Sequence, residues 1–173
     1  MSMLDHLWNG WRDAYVQKWG ENAGSPPPAT EGSVFTRILN SGLSDDEAHI
    51  IHRGNKCFVI LNAYPYASGH MLVLPYREVA NLEDLETDES AELWSCVTRG
   101  VQALKVAYQP QGVNVGINLG PPAGGSVSEH LHVHVVPRWV GDANFMTAVA
   151  NTRTLPEALV DSALKLRSAW GRI

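Results

Sequence analysis

Apolar side chains near the start of the chain recur every three or four positions, the spacing of one face of a helix. The stripe consists of Leu4, Trp8, Trp11, Tyr15 and Trp19. Glycines and three consecutive prolines, Pro26–Pro28, follow it and predict a linker, because both residue types interrupt helices. We therefore expect an N-terminal helix and its linker in residues 1–32, and a core domain in residues 33–173.

Two short apolar runs farther along have the composition of buried strands. They are Cys57–Leu61 and His70–Leu74, and the turn-forming residues Asn62–Gly69 separate them. A loop this short favours antiparallel neighbours in one sheet. Two more strands are predicted at Val113–Leu119 and His130–Val136.

Two other segments have helical spacing. In the longer one we expect Thr87 to cap the helix, with Asp88 and Glu89 in its first turn, where negative charge is favourable. Its apolar stripe consists of Leu93, Val97, Val101, Leu104 and Tyr108. The stripe of the last helix consists of Leu155, Leu159, Ala163, Leu166 and Trp170. The predicted fold is α+β, an antiparallel sheet with a long helix packed on it and further helices at both ends of the chain.

Charge and composition narrow the classes of partner. The chain has 173 residues, with 13 basic and 18 acidic side chains and a formal net charge of −5. Such a chain lacks the basic surface that non-specific nucleic-acid binding needs, so no nucleic-acid partner is expected. No apolar run is long enough to cross a membrane, and the N-terminus lacks the features of a signal peptide. With 2 cysteines no disulfide framework is predicted, and we expect a cytoplasmic protein.

Three of the 7 histidines, His130, His132 and His134, occupy alternate positions. Because side chains alternate between the faces of a strand, we expect all three imidazoles on one face and the apolar residues between them on the other. Three interpretations are open: a polar face in solvent, a metal site that includes His-x-His, and a catalytic site.

A glycine-rich loop directly before the histidines favours the catalytic interpretation. Gly124 and Gly125 allow backbone amides to approach an anion, and Ser126 adds a hydroxyl donor. Such a loop can hold a phosphate while a neutral imidazole attacks it and forms a covalent intermediate.

The segment His130–Val136 reads His-Leu-His-Val-His-Val-Val and resembles the signature of the histidine triad (HIT) nucleotide hydrolases and transferases. Asn62 followed by Ser68–His70 is similar to the family's Asn and Gly-His pair on the first hairpin. Asn118–Gly120 is similar to the polar residue and glycine that lead into the family's phosphate loop. The resemblance spans residues 33–140 and implies a HIT-like fold.

The resemblance also implies a role for each candidate residue. His132 would be the nucleophile that forms a nucleotidyl-histidine, His134 would contact the phosphate, and His130 and His70 would support the nucleophile. Contacts with the ribose, the phosphates and the adenine are implied for Asn62, Asn118, Gly124, Gly125, Ser126, Ile38 and Ile60.

Two departures from the family pattern change these expectations. Ser33 and Thr36 stand where bacterial members often carry the Cys-x-x-Cys half of a zinc site, so no structural metal and no other cofactor are expected. Ser126 stands where many members have glutamine, in a loop that is one residue longer, which opens space near the reacting phosphate.

The loop Ala123–Ser126, the tail Pro137–Met146 and the Trp-rich first helix resemble the small HIT-type diadenosine tetraphosphate phosphorylases. This implies a nucleotidyltransferase that takes a dinucleoside polyphosphate or mononucleotide substrate, and that cleaves diadenosine tetraphosphate with inorganic phosphate into ADP and ATP. Hydrolysis of dinucleoside polyphosphates or nucleoside phosphoramidates stays open, as does a metal-binding module that uses the three histidines. The resemblance also implies a homodimer, and the aromatic N-terminal helix would join two dimers into a homotetramer.

Overall fold

The computed structural model describes residues 32–124, 127–142 and 156–173. Of these, residues 32–140 and 156–173 belong to one compact unit. The predicted aromatic stripe of the first helix lies outside the described residues, as do Gly125, Ser126 and Leu155. None of the described helices is both long enough and apolar enough to cross a membrane.

Five strands form one antiparallel sheet in the order β1-β2-β3-β5-β4. Their bounds are β1 Ile50–Arg53, β2 Cys57–Leu61, β3 Met71–Pro75, β4 Gly112–Ile117 and β5 Val133–Arg138. β2 and β3 form a hairpin in which Cys57 pairs with Pro75 and Leu61 pairs with Met71. β5 lies between β3 and β4, so the strand that follows the first two triad histidines occupies an inner position.

In the described part of the chain, three α-helices cover this sheet. Their bounds are α1 Val34–Leu39, α2 Thr87–Tyr108 and α3 Leu159–Trp170, and short 3₁₀ turns occur at Leu82–Asp84 and Pro121–Ala123. Alternate residues of β2 face two separate apolar clusters: Val59 and Leu61 pack with residues of α2 and α3, whereas Phe58 and Ile60 pack with Phe35 of α1. The two faces of the sheet are therefore covered by different helices, as the period of a strand requires.

The histidine-bearing strand begins later than predicted. β5 starts at Val133 rather than at His130. The backbone N–H of Leu131 donates to the carbonyl oxygen of Val79 at 2.6 Å, which takes this segment out of the sheet ladder. The apolar residues between the histidines still point away from the imidazoles as predicted, because Leu131, Val133 and Val135 all lie in the apolar cluster under α2.

Other bounds differ in smaller ways. β2 matches its predicted bounds, β3 is shifted by one residue, and β4 ends at Ile117 rather than at Leu119. Thr87 is the first residue of α2 and not its cap, because the Glu89 carboxylate accepts from the backbone N–H of Glu86, the N-cap, at 2.9 Å. Neither α1 nor β1 was predicted, since a helix of 6 residues and a strand of 4 leave too short a pattern.

Candidate active site

His132 lies directly before β5 and is buried, with 6% of its surface exposed. Its Nδ1 is 2.8 Å from the backbone carbonyl oxygen of His130. A carbonyl oxygen only accepts, so Nδ1 carries the proton and donates it to this bond. The neutral ring then holds its lone pair on Nε2, the form in which an imidazole attacks an electrophile.

His130 is completely buried, and both of its ring nitrogens are hydrogen-bonded. Nε2 donates to the backbone carbonyl oxygen of Pro75 at 2.8 Å. Nδ1 therefore accepts, and the Ser33 hydroxyl donates to it over 2.7 Å. His130 thus supports its neighbour through its backbone carbonyl, and its ring links α1 to the end of β3.

His134 and His70 are joined by a hydrogen bond whose direction follows from the other partners of His70. The backbone N–H of Tyr66 donates to His70 Nδ1 at 3.0 Å, and the Asn62 amide nitrogen lies 3.3 Å from the same atom. In its neutral form His70 therefore carries its proton on Nε2 and donates it to His134 Nδ1, 3.0 Å away. His134 is then protonated on Nε2, so its ring offers an N–H donor.

The donor ring and the nucleophile ring are neighbours. The ring centroids of His132 and His134 are 4.9 Å apart, with the rings inclined at 67°. A lone pair on His132 and an N–H on His134 are the two functions needed to attack a phosphorus atom and to hold one of its oxygens.

Burial keeps all three triad histidines neutral. It lowers the pKa of His134 from an ordinary value of 6.5 to about 4, and the nearby His132 lowers it further. Burial also lowers the pKa values of His130 and His132, partly opposed by their hydrogen bonds with backbone carbonyls. An uncharged imidazole at position 132 is therefore the resting form at neutral pH.

Two aromatic side chains that the sequence did not identify frame the histidines. Phe35 of α1 contacts both His130 and His132, with ring centroids 5.6 and 5.5 Å away. Tyr66 lies against His70 at 4.7 Å and stacks on His134 at 6.0 Å with an interplanar angle of 14°. Tyr66 could have been suspected from its place in the loop before His70, whereas nothing in the sequence marks Phe35.

The two predicted amide side chains both lie beside the histidines. Asn62 faces His70, and its Oδ1 accepts from the backbone N–H of Tyr64 at 3.0 Å. Nδ2 of Asn118 lies 3.4 Å from Nε2 of His134. Both atoms carry protons in this arrangement, so neither accepts from the other and both are donors that face the same side of the site. Asn62 therefore contacts the supporting histidine, and Asn118 contacts the ring that would meet a phosphate.

The remaining predicted site residues belong to the glycine-rich loop and to the apolar cluster around Phe35. Gly124 ends the second 3₁₀ turn with a φ of 97°, a backbone conformation that favours glycine. Gly125 and Ser126 lie outside the described residues. Ile38 and Ile60 belong to the apolar cluster around Phe35, where Ile38 is half-buried and Ile60 is only 3% exposed.

The residues at the position of the family's zinc site do not fit a zinc ion. The Glu78 carboxylate accepts from the Thr36 hydroxyl and from the backbone N–H of Ser33, each at 2.7 Å. The Ser33 hydroxyl is committed to His130. Hydroxyls replace the thiolates that zinc prefers, and the imidazole nitrogen that faces them is occupied by a hydrogen bond.

The triad itself is not arranged as a metal site either. Both nitrogens of His130 are bonded within the protein, and Nδ1 of His132 is bonded to a backbone carbonyl. Across residues 32–124, 127–142 and 156–173, no group of three or more His, Cys, Asp or Glu side chains is placed to hold a metal ion.

Comparison with known proteins agrees with this geometry. The HIT domain model matches residues 44–140. The AP-4-A phosphorylase of Mycobacterium tuberculosis (strain H37Rv) is 43% identical over 169 residues, which cover 98% of this chain and 86% of that protein. The asymmetrical bis(5'-nucleosyl)-tetraphosphatase of Schizosaccharomyces pombe is 33% identical over 95 residues, 55% of this chain and 52% of that protein.

Solved structures share the fold. A Zn-bound histidine triad family protein from Mycobacterium smegmatis has a TM-score of 0.66 and 29% identity, over 81% of this chain and 94% of that chain. A Hit-like protein from Bartonella henselae has a TM-score of 0.66 and 24% identity, over 82% of this chain and 99% of that chain. The predicted α+β architecture of the HIT type is confirmed.

Proposed function

This chain belongs to the HIT family, and we propose that it is a nucleotidyltransferase that cleaves diadenosine tetraphosphate with inorganic phosphate into ADP and ATP. The observation that carries the proposal is the neutral His132, whose Nδ1–H is bound to the His130 carbonyl so that the lone pair stands on Nε2. The 43% identity with the AP-4-A phosphorylase of M. tuberculosis, over 98% of the chain, supports this choice of substrate.

The proposed reaction consists of two displacements at one phosphorus atom. Nε2 of His132 bonds to the α-phosphorus as the bond from that phosphorus to the bridging oxygen breaks, and ATP leaves with the bonding electrons. An oxygen of inorganic phosphate then bonds to the same phosphorus as the N–P bond breaks, which releases ADP and restores the imidazole. The covalent intermediate divides one difficult displacement into two easier ones.

The His130 carbonyl has a specific part in these steps. While the α-phosphorus is bonded to Nε2, the His132 ring keeps its proton on Nδ1 and carries positive charge. The carbonyl oxygen, 2.8 Å from Nδ1, stabilises that charge and keeps the ring in the orientation needed for the second step.

His134 and the loop before the triad would stabilise the phosphate oxygens. His134 presents Nε2–H beside the nucleophile and donates to a non-bridging oxygen as negative charge develops there. We propose that the Asn118 amide and the backbone amides of Gly124, Gly125 and Ser126 supply the remaining donors.

The adenine would lie on the face of the sheet that α1 covers. Ile38 keeps part of its surface exposed there, whereas Ile60 is almost fully buried behind it. Direct contact with the base therefore falls to Ile38, and Ile60 shapes the floor beneath it. Val127, which packs on the same cluster, would add apolar surface next to the phosphate loop.

Hydrolysis is the second candidate, because relatives named as hydrolases share part of the sequence. The bis(5'-adenosyl)-triphosphatase of Saccharomyces cerevisiae (strain YJM789) is 35% identical over 98 residues, 54% of this chain and 47% of that protein. The same histidines would form the same intermediate, and water would accept the nucleotidyl group.

Product analysis separates the two reactions. Diadenosine tetraphosphate is incubated with the full chain, with and without inorganic phosphate, and the nucleotides are separated by ion-exchange chromatography. Phosphorolysis gives ADP and ATP only when phosphate is present. AMP and ATP formed at the same rate with and without phosphate would show that the enzyme is a hydrolase.

We propose a homodimer as the smallest assembly and a homotetramer if the N-terminal helix adds a second contact. β4 is an edge strand, and Val115 on it and Leu119 just beyond it are 42% and 45% exposed. Exposed apolar side chains at a sheet edge favour pairing with a second copy.

Both cysteines, Cys57 and Cys96, are buried free thiols, which supports the cytoplasm as the location.

A further inference from the structure

Hydrogen bonds join four residues from three separate segments, one of which is the first triad histidine: Ser33, Thr36, Glu78 and His130. Ser33 and His130 are 97 positions apart and are 1% and 0% exposed. The Glu78 carboxylate is the common acceptor, binding the backbone N–H of Ser33 and the hydroxyl of Thr36 through the same oxygen. We call these residues the Glu78 network.

Every proton in the Glu78 network has one available position. Pro75 O can only accept, so the His130 proton is on Nε2 and the Ser33 hydroxyl must donate to Nδ1. The same hydroxyl oxygen accepts from the backbone N–H of Thr36 at 3.2 Å. The hydroxyl of Thr36 is then directed to Glu78. Ser33 therefore donates in two directions, through its backbone N–H to Glu78 and through its hydroxyl to the His130 ring.

His130 depends on these side-chain bonds because the sheet does not hold it. β5 begins three residues later, at Val133. The segment is instead fixed by the two bonds of the His130 ring and by the Leu131 N–H bound to Val79. The carbonyl that orients His132 belongs to this segment, so its position follows that of the His130 ring.

We propose that Ser33 and Glu78 are positioning residues for His132, acting through His130 and its carbonyl. Glu78 fixes the start of α1, the Ser33 hydroxyl fixes the His130 ring, and the His130 carbonyl then keeps the His132 proton on Nδ1. Phe35 of α1 adds a second connection, because its ring contacts both His130 and His132. The inference rests on the proposed role of His132 as the nucleophile.

The test compares full-length wild type with Ser33→Ala, Glu78→Ala and Glu78→Gln. Glu78→Gln is the matched control for Glu78→Ala, because glutamine keeps one acceptor oxygen whereas alanine removes the whole carboxylate. Ser162→Ala is the matched control for Ser33→Ala, because Ser162 is also 1% exposed and donates to a carboxylate, that of Glu157, from α3. Thermal unfolding of each variant checks that it is folded.

Two measurements are made on each protein. Long-range ¹H–¹⁵N NMR spectra report which ring nitrogen of His132 carries the proton, with the signal assigned by its loss in His132→Gln. Steady-state kinetics with diadenosine tetraphosphate and phosphate give kcat and KM separately. The NMR result does not depend on turnover, so failure of the proposed function and failure of this inference are distinguishable.

We expect Ser33→Ala to lower kcat about tenfold with little change in KM, the effect of one lost buried hydrogen bond. Glu78→Ala, whose two lost bonds are part-buried and exposed, should lower kcat by a smaller factor. In both variants the His132 signals move toward the average of the two tautomers, whereas Glu78→Gln and Ser162→Ala stay close to wild type. An unchanged His132 tautomer together with unchanged kcat in Ser33→Ala and Glu78→Ala overturns the inference. Equal losses in Ser162→Ala overturn it as well, since they would show a general effect of stability.

Discussion

His70 donates its Nε2–H to Nδ1 of His134 over 3.0 Å, although 64 residues separate the two in the chain. The direction of this bond is set by the backbone N–H of Tyr66, which occupies the other ring nitrogen of His70. The proton of His134 is consequently on Nε2, beside the ring of His132. A loop backbone therefore determines which ring nitrogen of His134 carries the proton.

Removing this bond should slow the reaction without abolishing it. In His70→Ala, His134 loses the donor that fixes its tautomer, and we expect kcat to fall about tenfold, as for one buried hydrogen bond. His70→Gln keeps an amide N–H that can donate to His134 and should retain more activity. Steady-state kinetics of the two variants measure the effect. Equal kcat values for wild type and His70→Ala would show that the bond has no role in turnover.

The dependence of the first chemical step on pH follows from the pKa values of the buried histidines. The pKa of His134 lies at about 4, and burial lowers that of His132 below its ordinary 6.5, so both rings are still mainly neutral at pH 6.5. The rate of ATP release should therefore still exceed half of its maximum at pH 6.5 and fall in more acidic solution, as the rings gain protons. Single-turnover reactions without inorganic phosphate avoid the titration of phosphate itself. A half-maximal rate at pH 6.5 or higher would contradict this expectation.

Folding and activity should not require zinc. Ser33, Thr36 and Glu78 form hydrogen bonds with one another and with His130, so this position needs no metal to hold it together. Protein purified without added metal and then dialysed against a chelator should keep its thermal unfolding temperature and its turnover rate. Elemental analysis is the control. One zinc per chain, lost together with activity, would restore the metal-site interpretation.

Assembly should proceed in two separable steps. A dimer formed at the sheet edge needs only the core domain, whereas a tetramer would also need the aromatic helix expected in residues 1–32. Light scattering on the full chain and on a chain that starts at Ser33 compares the two. We expect the truncated chain to be a dimer and the full chain to be larger. A monomeric full chain, or the same assembly in both, would show that the helix packs on its own subunit.

The sequence predicted most strands of the sheet and the separation of the triad histidines from the apolar residues between them, because both depend on local patterns. Alternation placed Leu131, Val133 and Val135 on the apolar side of their segment, which packs under α2, even though β5 begins only at Val133. The apolar run Cys57–Leu61 matched β2, since a fully buried strand leaves a continuous apolar signal.

The connections that set the tautomers could not be predicted in this way. The contact of Ser33 with His130 joins positions 97 apart, and Glu78 lies in a polar stretch with no pattern of its own. The late start of β5 depends on a backbone bond to Val79. Such contacts are produced by tertiary packing, and a single sequence carries no periodic trace of them.

The most direct test of the central claim is to isolate the covalent intermediate on His132. The full chain is mixed with diadenosine tetraphosphate without inorganic phosphate, quenched in base, where phosphoramidates survive, and mapped by peptide mass spectrometry. We expect one adenylyl group on the peptide that contains His132 and one ATP released per group. When phosphate is added before the quench, the adenylyl group should be released as ADP. His132→Ala should form no adduct and show no turnover while keeping its fold, and His134→Ala should be slowed less severely. Wild-type turnover in His132→Ala, or an adduct on another residue, would show that His132 is not the nucleophile.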